Sequence, residues 1–293
     1  MKNIIVVTGG AGFVGSNLIE ELISSFKYKI ISIDNYSSGT KKNHINSNLI
    51  KYIKGDICDI DKICKNISKN IKVIFHFGEF ARIHQSFSKI EDCFNTNING
   101  TQKIINFCCK HKIKLIYSAT SASLGNKGDD KNLSPYAYSK SKNLDLILNM
   151  RKWFGLSYEI LYFYNVYGKR QICKGPMSTV IGIFENLYIK KKPMTVVKPG
   201  TQSRKFTHID DTIKGCIIAW KKNKNREYIL SNRTSHKIVN VAKMFSKKIV
   251  LVPERLGERY KSAEIKQIHG RKIFKLACKK ELKNYILNFK KGM

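Results

Sequence analysis

The feature that most constrains the fold is a glycine-rich loop near the start of the chain, between a short apolar run and an amphipathic helical pattern. Ile4 to Val7 form the apolar run, and Thr8-Gly9-Gly10-Ala11-Gly12-Phe13-Val14-Gly15 follows it. Glycines at this spacing allow a tight turn and bring backbone N–H groups close to a pyrophosphate, at the positive end of the next helix. A plain glycine-rich turn is the alternative. The strand–loop–helix context favours a dinucleotide site, with contacts predicted from Gly9, Gly12, Phe13, Val14 and Gly15.

Strand and helix patterns alternate through the first half of the chain. Apolar runs predict strands at 3–8, 28–33, 50–54, 72–77, 113–118 and 157–163. Helical patterns lie between them at 13–26, 59–69, 90–111 and 136–154. Nearly uninterrupted apolar runs are typical of parallel strands covered on both faces. The chain is therefore predicted to be an α/β protein with a doubly wound parallel sheet, the Rossmann architecture.

This alternation weakens after about residue 166. A helix near 177–191 and a short strand at 194–197 are followed by a tail of short helices and basic loops. We predict a dinucleotide-binding domain at 1–165 and a smaller α/β substrate domain at 166–293, with about 206–222 returning to the first.

The end of the second predicted strand carries the residues expected to select the dinucleotide. Asp34 lies about 20 residues past the glycine loop, where a carboxylate accepts hydrogen bonds from both ribose hydroxyls and repels a 2′-phosphate. NAD is therefore predicted rather than NADP, although a capping role for Asp34 is the alternative. Asn35 follows it, and Asp56 after the third strand is placed to bind the adenine amino group.

A Tyr-x-x-x-Lys pattern supplies the candidate catalytic pair. Residues four apart share one face of a helix, so Lys140 would lie beside Tyr136. A nearby ammonium favours tyrosinate and would let Tyr136 act as a base. The segment Ser118-Ala119-Thr120-Ser121, at the end of the strand before this helix, offers a hydroxyl to the same reacting oxygen. The pattern is common by chance, but here it follows a glycine-loop domain at a suitable distance.

With these three elements in place, the chain resembles the extended short-chain dehydrogenase/reductases, and among them the UDP-glucose 4-epimerase-like enzymes of nucleotide sugars. The resemblance covers nearly the whole chain. The motifs that carry it are the glycine loop, Asp34-Asn35, Gly55-Asp56, Phe75-His76-Phe77, Asn97-Ile98-Asn99-Gly100-Thr101, Tyr136-x-x-x-Lys140, Tyr164-Asn165-Val166-Tyr167-Gly168 and Arg204-Lys205-Phe206-Thr207-His208-Ile209-Asp210-Asp211.

The resemblance implies a role for each matching residue. Tyr136 would be the base, Lys140 would hold the nicotinamide ribose, and Thr120 would be the active-site hydroxyl. Asn97 would belong to the framework on the cofactor side, which Ile57 and Phe77 would also line. The substrate would contact Asn165, with its diphosphate bound by Arg204 and Arg255, although a solvated surface arginine is the alternative for Arg255. A homodimer through helices 90–111 and 136–154 is also implied.

The residues after Thr120 bear on the reaction. Relatives that dehydrate or decarboxylate the sugar carry acids just after the active-site hydroxyl residue, whereas this chain carries Ser121 and Ala122. Without those acids, reversible oxidation at C4 remains, which is the chemistry of a 4-epimerase acting on a UDP-hexose or UDP-N-acetylhexosamine. A 4,6-dehydratase, a 4-ketoreductase and a non-catalytic dinucleotide sensor are the alternatives.

Three departures from the family pattern concern the substrate and cofactor sides of the site. Glu79 stands where a small residue is normal, and Leu124 replaces a tyrosine before Gly125. The loop at 126–132 is shorter than in typical relatives. In the epimerases that the chain resembles, a residue near the C-terminal diphosphate-binding arginine lies beside the sugar 2-position. Counting forward from Arg255 puts Ser262 at this place, and its small side chain would admit an N-acetyl group. A shift of one or two residues would put Tyr260 there instead.

Composition adds less than the motifs do. The chain has 54 basic and 21 acidic residues, for a net charge of +33. Nucleic-acid binding is one interpretation, but the basic pairs are scattered from 41–42 to 290–291 and the Lys, Asn and Ile content suits AT-rich codons. We therefore predict no specific nucleic-acid partner, although a positive surface would attract a diphosphate.

The location of the protein is predicted from what the chain does not contain. No apolar segment is long enough to cross a membrane, and the run at 4–7 is too short for a signal peptide. The eight cysteines form no CxxC pair. We therefore expect no membrane association, no metal site and a reducing, cytoplasmic setting.

Overall fold

The computed structural model describes residues 3–124, 131–258 and 272–293. The strands in these ranges are β1 (Ile4–Thr8), β2 (Lys29–Asp34), β3 (Ile50–Lys54), β4 (Ile71–His76), β5 (Lys114–Thr120), β6 (Tyr158–Phe163), β7 (Val166–Tyr167), β8 (Met194–Val197), β9 (Ser203–Lys205), β10 (Thr207–His208), β11 (Glu227–Leu230), β12 (Ser235–Lys237), β13 (Ile249–Val252) and β14 (Ile273–Leu276). The α-helices are α1 (Phe13–Ser25), α2 (Ile60–Cys64), α3 (Gln85–Ser88), α4 (Ile90–Phe94), α5 (Thr101–His111), α6 (Pro135–Phe154), α7 (Val180–Ile189), α8 (Ile209–Lys222), α9 (Ile238–Phe245) and α10 (Leu282–Lys291).

Eight of these strands form one parallel sheet in the order β14-β11-β6-β5-β4-β1-β2-β3. The predicted doubly wound parallel sheet is confirmed. All six strands predicted in the first half are present, with ends that agree to within about two residues. The chain runs outward from β1 through β2 to β3 and then returns to the other side of β1 with β4. Such a reversal opens a crevice at the carboxyl ends of the strands, where ligands bind.

Both faces of the sheet are covered by apolar helix faces. On one side, Ile104 and Phe107 of α5 and Ile147 of α6 pack against the sheet. On the other side, Leu18 of α1 and Ile213 of α8 do so. Because both faces are covered, every residue of β1 is buried, which explains the unbroken apolar run from Ile4 to Val7.

The long helix predicted at 90–111 contains an irregular turn. Between α4 and α5, Asn95–Gly100 forms a π-helical turn within an otherwise continuous helix. Such turns are often found at functional sites because they redirect side chains. The helix predicted at 59–69 is shorter than expected, since α2 ends at Cys64.

The second half of the chain contributes both to the sheet and to a separate core. Apolar residues of α7, α9 and α10, among them Phe184, Val241 and Ile286, form this core. The sheet, however, takes β11 and β14 from this half, and α8 packs against α1. More of the second half therefore joins the sheet than the predicted range 206–222, and the division at 165/166 stays a prediction.

Within the described ranges, no helix combines the length and apolar character that crossing a membrane requires.

Candidate active site

A cavity of about 430 Å³ opens at the carboxyl ends of the central strands. Its walls come from the glycine loop, the ends of β2 and β5, the start of α6 and the segment around 172–181. Thirteen of the residues predicted from sequence line it: Gly9, Gly12, Phe13, Val14, Gly15, Asp34, Asn35, Ile57, Phe77, Thr120, Tyr136, Lys140 and Asn165.

The glycine loop has the geometry of a pyrophosphate cradle. Gly9 adopts a φ of +68°, which favours glycine, and a Cβ on Gly15 would lie only 2.2 Å from the carbonyl oxygen of Gly9. The N-cap of α1 is Gly12, which provides no side-chain hydrogen bond, and the first turn carries no acidic residue. The first N–H groups of α1 are therefore not capped by a side chain, as a phosphate site requires.

Asp34 lies in the cavity wall beside this loop. Its carboxylate accepts hydrogen bonds from the backbone N–H groups of Ala11 at 2.9 Å and Tyr36 at 2.8 Å. Burial raises the pKa of Asp34, and these N–H donors oppose that rise. Asp56 lies outside the cavity lining: it accepts a hydrogen bond from Asn35 at 3.2 Å and caps the short helical turn that follows it, through the N–H of Cys58.

Tyr136 lies at the start of α6, which Ser134 caps by accepting the N–H of Ala137 at 3.1 Å. Its ring packs in a small apolar cluster with Cys93 and Ala122. The pKa of Tyr136 is raised to about 12. Burial is the largest cause, a hydrogen bond with the Thr120 hydroxyl opposes the rise, and the negative charge of Glu79 adds to it.

Lys140 lies one helical turn after Tyr136. Its ammonium donates to the carbonyl oxygen of Ser118 at 2.6 Å and to a carboxylate oxygen of Glu79. It also lies over the ring of Tyr117, 4.7 Å from the ring centroid. Burial lowers the pKa of Lys140, whereas the charge of Glu79 raises it. The structure thus places the predicted Tyr136, Lys140 and Thr120 on the same cavity.

Glu79 is the partner that the sequence pattern identified only as a departure. Its Oε1 accepts hydrogen bonds from the Tyr117 hydroxyl at 3.0 Å, the Thr101 hydroxyl at 3.1 Å and the Asn143 amide at 3.2 Å. Two features of the sequence could have indicated this cluster. Tyr117 is a polar residue within the buried strand β5, and Asn143 lies one helical turn after Lys140.

Asn97 lies in the π-helical turn and does not line the cavity. Its amide donates to the Phe80 carbonyl oxygen and to the Ser139 hydroxyl, both at 3.1 Å, and its carbonyl oxygen accepts the Phe80 N–H at 2.7 Å. It therefore ties the segment after β4, which carries Glu79, to α6. A framework role for Asn97 fits this position and stays a prediction.

Arg82 is a cavity residue that no sequence pattern indicated. Its Nε donates to the carbonyl oxygen of Met177 at 2.8 Å, and its Nη1 donates to that of Ala81 at 2.7 Å. Burial lowers the pKa of Arg82, and its positive charge lowers that of Tyr136. Arg82 thereby joins the loop after β4 to the segment before α7, two of the walls of the cavity.

The predicted substrate residues are only partly brought together. Asn165 lines the cavity, has a φ of +36° and donates to the Lys205 carbonyl oxygen at 2.8 Å. Arg204 lies outside the lining, and its guanidinium donates to a carboxylate oxygen of Glu258 at 2.9 Å. Arg255 is exposed in the loop after β13 and also lies outside the lining.

A diphosphate role for the two arginines, Arg204 and Arg255, stays a prediction. Ser262, Tyr260 and the first part of the short loop at 126–132 lie outside the described residues.

The profile of the NAD dependent epimerase/dehydratase family matches residues 5–241. The chain belongs to this family. The match includes the glycine loop, Tyr136 and Lys140, and Asn165, and so covers most of the residues that line the cavity.

Individual members of the family are similar over most of the chain. A relative described as a putative UDP-glucose 4-epimerase, from Methanocaldococcus jannaschii, is 31% identical over 74% of each chain. The solved UDP-N-acetylglucosamine 4-epimerase of Methanobrevibacter ruminantium, in complex with UDP-N-acetylmuramic acid, is 28% identical with a TM-score of 0.80 over 91% of each chain. The UDP-glucuronic acid 4-epimerase of Bacillus cereus, solved as a mutant with NAD and a UDP-sugar analogue, is 25% identical with a TM-score of 0.80 over 90% of each chain.

Other relatives are described as a UDP-N-acetyl-alpha-D-glucosaminuronate decarboxylase and a dTDP-D-glucose 4,6-dehydratase. The protein is thus an enzyme of a family that modifies nucleotide sugars. Its cofactor is NAD, which the glycine cradle and Asp34 fit.

The nucleotide bound to the purified protein tests the cofactor assignment. Denaturing the protein is expected to release NAD(H), because the Asp34 carboxylate at the end of β2 repels a 2′-phosphate. The supernatant is assayed in parallel with one NAD-specific and one NADP-specific cycling dehydrogenase. Recovery of mainly NADP(H) would contradict the role of Asp34.

Proposed function

We propose that this enzyme is a UDP-sugar 4-epimerase that inverts the C4 hydroxyl through a transient 4-keto sugar. The observation that carries the proposal is the meeting of Tyr136, Thr120 and Lys140 at one cavity, where the two residues directly after Thr120 bring no acid. Ser121 and Ala122 form the short helical turn after β5, and Ala122 is buried in the apolar cluster beside Tyr136. Dehydration or decarboxylation needs a proton donor or acceptor at a carbon beyond C4, which these two side chains do not offer.

The side chains of the cavity would divide the proton chemistry between them. Tyr136, as tyrosinate, would take the proton of the C4 hydroxyl, and the Thr120 hydroxyl would hold that same oxygen. Lys140 would stabilise the tyrosinate from the next turn of α6. NAD supplies the reversible hydride acceptance at C4. The Tyr136 ring packs in the apolar cluster, and the residue is 8% exposed where it lines the cavity.

Glu79 does not supply the missing acid. Its side chain is only 2% exposed, and its two oxygens accept hydrogen bonds from Lys140, Tyr117, Thr101 and Asn143. A carboxylate held by four donors is poorly suited to move a proton on the sugar. The geometry around Glu79 therefore adds no support for a 4,6-dehydratase.

The choice of a UDP-sugar rests on the similar proteins, two of which were solved with UDP-linked compounds. The non-catalytic sensor is less well supported, because a sensor would not need Tyr136, Lys140 and Thr120 together. A 4-ketoreductase would use the same three residues, and it is less well supported because the similar proteins include several described as 4-epimerases. A preference for N-acetylhexosamine depends on Ser262, outside the described residues. The homodimer through the helices at 90–111 and 136–154 also stays a prediction.

A panel of nucleotide sugars tests the proposed reaction. With UDP-glucose, UDP-galactose and their N-acetylamino counterparts, the purified enzyme is expected to interconvert each gluco- and galacto-configured pair, with the N-acetyl pair accepted at least as well. Proton NMR of the mixtures distinguishes the C4 epimers directly. dTDP-glucose serves as the control for dehydration. A 4-keto-6-deoxy sugar as the main product from any of these substrates would overturn the proposal.

A further inference from the structure

The buried carboxylate of Glu79 is surrounded by donors. Lys140 donates to Oε2, and the Tyr117 hydroxyl, the Thr101 hydroxyl and the Asn143 amide donate to Oε1. A protonated carboxyl would lose part of this accepting capacity and would leave buried donors unpaired. The site is therefore built for an ionised carboxylate. The side chains of Glu79 and Lys140 are only 2% and 4% exposed, so water does not screen their ion pair.

A chain of hydrogen bonds connects this carboxylate to the strand before the glycine loop. The Thr8 hydroxyl oxygen accepts two backbone N–H groups after β4, at 3.1 and 3.0 Å, so its proton points to His76 Nδ1 at 2.7 Å. His76 then carries its proton on Nε2 and donates to the Thr101 oxygen at 2.9 Å. Burial lowers the pKa of His76 to about 4, in keeping with this neutral ring. The Thr101 hydroxyl therefore donates its own proton to Oε1 of Glu79.

The groups that face Tyr136 come from several elements. Thr120 and Tyr117 come from β5, Glu79 and Arg82 from the loop after β4, and Cys93 from α4. Lys140 follows on α6 itself. Among them Glu79 is the carboxylic acid, and it is paired with the Lys140 ammonium, whereas the positive charge of Arg82 lowers the pKa of Tyr136.

We propose that Glu79 is a positioning residue: it anchors the Lys140 ammonium against β5, and its charge moves the action of Tyr136 as a base to higher pH. The inference rests on the proposed function to the extent that Tyr136 is the base. The sign follows from the charges. A negative neighbour disfavours tyrosinate, and pairing with Glu79 takes away part of the stabilisation that Lys140 provides. Removing the Glu79 charge while Lys140 stays protonated therefore lowers the pH at which Tyr136 ionises.

The test is the titration of Tyr136 in NAD-loaded protein, with and without the Glu79 charge. Protein with ¹³C-labelled tyrosine is titrated by NMR, and the Tyr136→Phe variant identifies the Tyr136 signal. In Glu79→Gln, the midpoint is expected at least about one pH unit below that of the wild type, which is about tenfold more tyrosinate at a pH below both midpoints. The low-pH limb of kcat/KM is expected to move in the same direction.

Two further variants keep the result interpretable. Tyr117→Phe removes one donor to Glu79 but keeps the Glu79 charge. The titration midpoint of Tyr136 in this variant is therefore expected to lie close to that of the wild type. Glu79→Ala introduces the small side chain that is normal at this position in the family the chain resembles, and it replaces Glu79→Gln if thermal unfolding shows that the glutamine variant does not fold.

An unchanged Tyr136 midpoint in the folded, charge-free variant would overturn the inference. The titration needs no sugar, so it separates the two proposals. A shifted midpoint without turnover of any nucleotide sugar would support the role of Glu79 and reject the epimerase.

Discussion

Replacing Tyr136 with phenylalanine is expected to lower the turnover of the nucleotide sugar at least about 100-fold, with NAD still bound. The hydroxyl that is removed is the one hydrogen-bonded to Thr120, at the wall of the cavity. The phenylalanine ring keeps the contacts with the apolar cluster of Cys93 and Ala122, so the fold is expected to survive. Turnover is measured by NMR on the best substrate of the panel, and bound NAD(H) is measured after denaturation.

Tyr138→Phe is the matched control. Tyr138 is on the same helix, is 36% exposed and does not line the cavity, so its variant is expected to keep nearly full activity. The wild-type rate is also expected to rise with pH, because only tyrosinate accepts the proton and burial raises the pKa of Tyr136 to about 12. Near-normal turnover of Tyr136→Phe would show that another group is the base.

The strands could be predicted because their sequences report burial directly. In a parallel sheet covered on both sides, side chains of both faces are apolar, so runs such as Ile4–Thr8 stand out from the helices around them. The strands β11 and β14 were not predicted. They are four residues long and contain polar residues, and they lie at the end of the sheet away from β1. Their pairing depends on contacts between distant parts of the chain.

The candidate site shows the same division between local and distant signals. The glycine loop and Tyr136-x-x-x-Lys140 could be read from the sequence because each is a fixed spacing within one turn or helix. The donors to Glu79 lie 22 to 64 residues away along the chain, and Arg82 meets Met177 at a distance of 95 residues. No local spacing encodes such partners.

Arg204 was found by its motif, but its partner could not be predicted from that motif. Its motif matched the family, but in the structure its guanidinium donates to Glu258, a loop residue 54 positions later. A motif indicates which residue type occupies a position, whereas the partner of that residue depends on loops that the motif does not include.

A second buried carboxylate, Glu159, leads to the largest expected effect on stability. It lies near the start of β6, a strand between β5 and β11, with no exposed surface. It accepts the Lys114 ammonium at 2.7 Å and the backbone N–H groups of 224, 225 and 226 at 2.7, 3.0 and 2.9 Å. The side chain thus connects β5, β6 and the turn that leads into β11.

Glu159→Ala is expected to lower the free energy of unfolding by about 3–5 kcal/mol, because the variant leaves the buried Lys114 ammonium without its counter-ion. The three backbone N–H groups before β11 would lose their acceptor as well. Urea unfolding at neutral pH, followed by circular dichroism, measures the change. Glu254→Ala is the control: Glu254 is exposed, and its replacement is expected to change stability by no more than about 0.5 kcal/mol.

The double variant Lys114→Met/Glu159→Ala distinguishes the two sources of this loss. If the unpaired ammonium dominates, removing both charges is expected to recover a large part of the stability, since the desolvation of Lys114 no longer opposes folding. If the backbone N–H groups dominate, the double variant stays as unstable as Glu159→Ala. A loss below about 1 kcal/mol in Glu159→Ala itself would mean that water reaches Lys114 and the turn, and that Glu159 does not hold β11 against β6.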